Sequence, residues 1–135
     1  MVYQQTDIFT PDHKQDLKRV LVFSPDEDLA RVLLMNLEDR FCIIREHRLE
    51  ILDQAIMKNS PDIILIDLFS LSEDITKQLE IVQRWKGIIP VIALRAYKSV
   101  TPEIDQLIEE LTQNVFYKPV NGELITQAIE DTIKK

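Results

Sequence analysis

Three ionisable residues stand at the ends of apolar runs. Asp67 closes Pro61-Asp62-Ile63-Ile64-Leu65-Ile66-Asp67, Arg95 follows Pro90-Val91-Ile92-Ala93-Leu94, and Lys118 follows Val115-Phe116-Tyr117. Four to eight continuous apolar residues between turn signals read as a strand buried on both faces. The last position of such a strand borders the crevice beyond the carboxyl ends of an open parallel sheet, where ligands bind. Asp67 is therefore either a hydrophilic strand terminator or a site residue. A lysine or arginine within a few ångströms would stabilise its ionised form and lower its nucleophilicity.

The elements that must position these groups follow from periodicity. Arg19-Val20-Leu21-Val22-Phe23 reads as the first strand, and Phe41-Cys42-Ile43-Ile44 as the second. Ser24-Pro25-Asp26-Glu27 carries a helix start: Ser24 as N-cap, Pro25 at the first helical position, Glu27 completing a capping box. Leu29, Val32, Leu33 and Leu37 then form a helical stripe to about Asp39. Leu49, Leu52 and Ile56 mark a second helix, which Pro61 forbids from continuing. Residues 69–74 read as a loop with Ser72 as cap, followed by a helix with Ile75, Leu79 and Val82, Trp85 near its end and Gly87 as its stop. Thr101-Pro102 opens a fourth helix with Ile104, Leu107, Ile108 and Leu111, and Asn121 caps a fifth with Leu124, Ile125, Ala128 and Ile129. Five strands alternating with five helices predict a doubly wound parallel sheet of order 2-1-3-4-5, a flavodoxin-like three-layer sandwich. Residues 1–17 read as a polar extension and 18–135 as the domain.

Composition narrows the function. The chain has 135 residues, 45% of them hydrophobic, and a net charge of −7, which opposes a primary role on nucleic acid or on an anionic membrane surface. It has no apolar run long enough to span a bilayer, and its first sixteen residues contain no secretory signal core. A cytoplasmic location is the expectation. A lone Cys42 excludes an internal disulfide, and two distant histidines, His13 and His47, give a zinc site little basis. Of the two glycines, Gly87 and Gly122, neither reads as part of a strand-to-helix phosphate loop, which disfavours a flavodoxin-like small-ligand binder. No Ser-His-Asp order at strand ends suggests a hydrolase.

Over roughly residues 18–133 the sequence resembles the receiver domain of two-component response regulators. The match is carried by Val20-Leu21-Val22-Phe23, Pro61 to Asp67, Ile89 to Leu94 and Lys118-Pro119 in that order and spacing. The resemblance implies a doubly wound fold, a phosphoaccepting aspartate with Mg²⁺, and a signalling surface on the fourth helix, fifth strand and fifth helix. It puts Asp67 at the phosphoacceptor position, Lys118 at that of the pocket lysine, and Pro119 at that of a proline usually preceded by a cis peptide bond.

Four departures change what the resemblance implies. The acidic pair that holds Mg²⁺ in the family is replaced by Ser24 and Pro25, as if a capping box had displaced a metal site. Asp26 and Asp67 remain as weak metal candidates. Arg95 stands in place of the switch hydroxyl and is expected either to pair with Asp67 or to swing into solvent. Val115 replaces the switch aromatic, with Phe116 on the opposite face. Leu68-Phe69-Ser70-Leu71 replaces the family's methionine-proline and glycine loop. The expectation is a non-enzymatic pseudo-receiver without a cofactor that signals by protein interaction. The alternative is an active response regulator that uses Mg²⁺ through Asp26. Its partner would be a histidine kinase, a phosphotransfer protein, an output protein, or a second copy in a homodimer, since no output segment follows Lys135. The docking helix would expose Glu103, Gln106, Glu110 and Gln113, with Lys98 as a basic neighbour.

Overall fold

The computed structural model describes residues 17–69, 72–97 and 101–134. The polar extension therefore lies outside the described residues apart from Leu17, as do Ser70, Leu71 and Lys98. In chain order the elements are β1 (Arg19–Phe23), α1 (Glu27–Leu37), β2 (Cys42–Glu46), a 3₁₀ turn (Leu49–Ile51), α2 (Leu52–Asn59), β3 (Ile63–Asp67), α3 (Ser72–Trp85), β4 (Val91–Arg95), α4 (Pro102–Leu111), β5 (Asn114–Tyr117) and α5 (Gly122–Lys134). The five strands form one sheet in the order β2-β1-β3-β4-β5, with every pair parallel. The fold class and strand order are those read from the alternation of elements. Among the described residues, no helix is long and apolar enough to cross a membrane.

The central strands are apolar throughout because helices cover both faces of the sheet. Strand alternation divides them cleanly. Leu21, Phe23, Ile64, Ile66, Val91 and Ala93 pack with residues of α2, α3 and α4, including Leu52, Leu79 and Ile108. Val20, Val22, Ile63, Leu65, Ile92 and Leu94 pack with Leu33 and Leu37 of α1 and Ile125 and Ile129 of α5. Each face has its own core, and each strand-end side chain inherits a face from this alternation.

Local chemistry sets the helix ends, with several differences from the sequence reading. The N-cap of α1 is Asp26, whose side chain accepts from the Asp28 and Leu29 backbone N–H groups. Ser24 and Glu27 do not form the expected capping box: the carboxylate of Asp26 reaches the orphan donors first, and Ser24 lies outside the helix. Helix α3 includes Ser72 to Asp74, read from the sequence as loop. Strand β2 runs to Glu46 rather than Ile44, because Arg45 and Glu46 pair in register with Val22 and Phe23. Asn121 caps α5 as expected, accepting from Glu123 N and Leu124 N. Gly122 opens α5 at a strand-to-helix junction, and its missing side chain serves packing: a Cβ there would lie 2.4 Å from Asn36 Cγ on α1.

Candidate functional site

The carboxyl ends of β1, β3 and β5 converge on Asp67. Phe23 pairs with Ile66 across β1 and β3, so the next residue, Ser24, stands beside Asp67. Tyr117 aligns with Arg95, which leaves Lys118 one step beyond β5 on the same face as Phe116 and Leu94. Alternation therefore turns Ser24, Asp67 and Lys118 toward the α1–α5 side. The contacts agree. Ser24 Oγ donates to Asp67 Oδ2 at 2.8 Å, and Lys118 Nζ lies 2.8 Å from Asp67 Oδ1. The lysine contact is an ion pair without a well-aligned hydrogen bond on Oδ1. Ser24 and Asp67 are each only 3% exposed, so both depend on these partners rather than on water. The Lys118–Pro119 peptide bond is cis.

Ser24 is doubly engaged, because its Oγ also accepts from Asp26 N at 3.0 Å. The turn after β1 thus presents a hydroxyl to Asp67, and Asp26 turns its Oδ1 to the start of α1. Mg²⁺ needs near-octahedral oxygen coordination, usually with one or two carboxylates. Here Pro25 offers no side-chain ligand, Ser24 donates toward Asp67, and Asp26 caps a helix. No group of three or more His, Cys, Asp or Glu among the described residues is placed to hold a metal. Beside the Asp67 carboxylate, the described side chains place a hydroxyl and an ammonium.

Arg95 takes neither course expected of it. It is 5% exposed, so it does not swing into solvent, and its Nη1 donates to Asp105 Oδ1 on α4 at 2.6 Å. The reason is register. Asp67 pairs with Leu94, so Arg95 is one residue further along and faces the α4 side with Val91 and Ala93. The guanidinium leaves the Asp67 pocket and ties the end of β4 to the next helix. A backbone bond from Lys118 N to Arg95 O, 2.8 Å, keeps the two strand ends adjacent. Of the expected pocket residues, the structure brings Ser24 and Lys118 to Asp67, places Asp26 at the helix cap next to Ser24, and puts Arg95 on the other face.

Two contributors were not read from the sequence. Gln78 on α3 is fully buried; its Nε2 donates to Asp67 O at 2.9 Å, and its Oε1 accepts from Phe69 N at 2.7 Å. It clamps the turn after β3 from behind. Phe69 also sets its ring edge against Phe23, with centroids 5.9 Å apart. The signal for Gln78 was present: it is a polar residue inside the apolar stripe of Ile75, Leu79 and Val82. The other is Asp105, whose pairing with Arg95 could be foreseen only after the strand register was known.

No protein-family model and no curated protein sequence matches the chain. Many solved structures do. A CheY-like response regulator receiver domain from Methanospirillum hungatei JF-1 aligns with TM-score 0.73 at 19% identity, covering 88% of this chain and 95% of that one. A response regulator from Thermotoga maritima aligns with TM-score 0.73 at 17% identity, covering 88% and 99%. The BeF3-activated N-terminal receiver domain of Klebsiella pneumoniae RstA gives 0.71 at 16%, covering 87% and 100%. The chain has the receiver fold. Within that fold, Asp67 ends the central strand and the covered lengths match those of whole receiver domains. At such identities the likeness speaks for the fold, and the chemistry of the site rests on the side chains described above.

Proposed function

We propose that this chain is a receiver-like signalling module that acts by protein interaction and is not switched by Mg²⁺-dependent phosphorylation of Asp67. The observation that carries this reading is the double engagement of the carboxylate, by the Ser24 hydroxyl and the Lys118 amine. Phosphoryl transfer requires an attacking oxygen free to move in line and cations that neutralise the transferring oxygens. Here one carboxylate oxygen accepts a hydrogen bond, the other carries an ion pair, and the metal-binding carboxylates are absent. The chain needs no cofactor in this reading and performs no reaction of its own. Its partner is another signalling protein, or a second copy, at the surface formed by α4, β5 and α5. Arg95, pinned to Asp105, supplies no hydroxyl to sense a phosphoryl group and holds α4 against the sheet.

The test is incubation with acetyl phosphate and millimolar Mg²⁺, followed by intact mass and backbone amide spectra. The expected result is no phosphoryl adduct and no metal-dependent shift at Asp67, Ser24 or Asp26. A stable aspartyl phosphate at Asp67 would establish the active-regulator alternative.

A further inference from the structure

The two edges of the sheet are built differently. Edge strand β2 carries Arg45 and Glu46, the kind of charge that discourages edge-to-edge pairing. Edge strand β5 is Asn-Val-Phe-Tyr, uncharged and rich in strand-forming residues, and no described strand pairs with its outer side. Lys118 N bonds to Arg95 O, and Asn114–Tyr117 align with Ile92–Arg95, so by the alternation of a parallel ladder Asn114 and Phe116 also turn their amides inward. The N–H groups of Val115 and Tyr117 then point outward. Beside this edge runs a groove of about 430 Å³ lined by Glu109, Gln113, Asn114, Val115 and Tyr117. Its upper wall is α4, which holds Glu103, Asp105, Glu109 and Glu110 and no basic residue. Among the described residues, the nearby cations are occupied: Arg95 by Asp105, Lys118 by Asp67, and Lys86, whose amine donates to Glu110 O.

We propose that β5 and this groove receive a basic, extended peptide segment of a partner protein, which adds to the sheet as a sixth strand. Main-chain hydrogen bonds to an open edge supply affinity in this mode, and alternate side chains supply selectivity. Val115 and Tyr117 point to the groove side, where an alternating segment sets its cationic side chains near Glu109. Charge decides between occupants. A second copy would bring the same acidic α4 to the same groove in a chain of net charge −7, whereas a lysine-rich strand meets opposite charge. The inference rests on the reading of this chain as an interaction module and names the chemistry of its partner.

The test titrates the full chain with a blocked heptapeptide of alternating lysine and valine and follows backbone amides by NMR. Shifts confined to Asn114–Tyr117 and Glu109 are expected, with slowed exchange of the Val115 and Tyr117 amides. The same peptide N-methylated at alternate residues should bind at least about tenfold more weakly, because a methyl group removes the ladder donor and blocks pairing. The surface variant Glu109→Lys, checked for an unchanged circular dichroism spectrum, should weaken binding about fivefold. Equal binding of the methylated peptide would overturn strand addition in favour of charge alone. Absence of a β5 response would overturn the proposal, as would β5 shifts that track protein concentration, the signature of a second copy. The measurement uses the unphosphorylated chain, so its failure leaves the Asp67 result standing. Phosphorylation of Asp67 would likewise leave strand addition standing.

Discussion

The carboxyl rim of the sheet has two sides that handle buried charge differently. On the α1–α5 side, Asp67 is held by a neutral hydroxyl and a partly exposed amine, each reaching it from a different strand end. On the α4 side, Arg95 meets one carboxylate on a neighbouring helix, with both partners largely buried. The first arrangement satisfies the atoms of a pocket. The second joins two elements. A charge at a strand end therefore serves a site or a scaffold according to the face on which alternation leaves it, and one residue of register separates the two outcomes.

Substitutions can break this comparison. The largest effect is expected at the scaffold pair: Asp105→Ala strands a buried guanidinium and should cost about 3–5 kcal/mol. Urea unfolding measures it, and the double change Arg95→Met with Asp105→Leu should recover much of the loss. A cost under about 1 kcal/mol would show that the pair behaves like an exposed one. Lys118→Met should cost less, about 2 kcal/mol, because the lysine amine is partly hydrated and Ser24 still serves Asp67. If it costs as much as Asp105→Ala, the distinction between site and scaffold fails.

Gln78→Leu sharpens the account of the turn after β3. It removes a side chain that satisfies both a buried carbonyl and a backbone N–H, and should lower stability by about 1–3 kcal/mol. Amide exchange at Phe69 should rise more than exchange in β3. The smallest effect is expected for Ser24→Ala, about 1–2 kcal/mol, since the bond to the Asp67 carboxylate and the one accepted from Asp26 N are lost while the lysine pair persists.

Much of the pocket was legible before the structure. Asp67 and Lys118 announced themselves as single charges closing apolar runs, and Ser24-Pro25 as the residues that replaced an acidic pair. The errors have a common cause. A local motif points to Ser24 as the helix cap, but a cap is a competition among neighbouring acceptors, and the Asp26 carboxylate wins it. Arg95 ends a strand as Asp67 does, which leaves a pairing with Asp67 and a turn into solvent both open from sequence. The face of Arg95 follows from register, because Leu94 lies opposite Asp67 and Arg95 is one residue further along. The role of Gln78 is silent in the sequence because a polar residue in an apolar stripe has no evident partner until the turn it clamps is folded against it.

Residue order alone dictates the alternation of strands and helices, the doubly wound sheet and the placing of Asp67 at the end of its central strand, because these follow from periodicity and turn chemistry within short windows. Which charge meets which is a different matter. The Ser24–Asp67 bond joins residues 43 apart, and the Arg95–Asp105 pair depends on which side of a sheet a strand end faces. Hydrogen bonds and ion pairs act over about 3 Å, so such partners are chosen only when the packed sheet brings particular strand ends and helix faces into register.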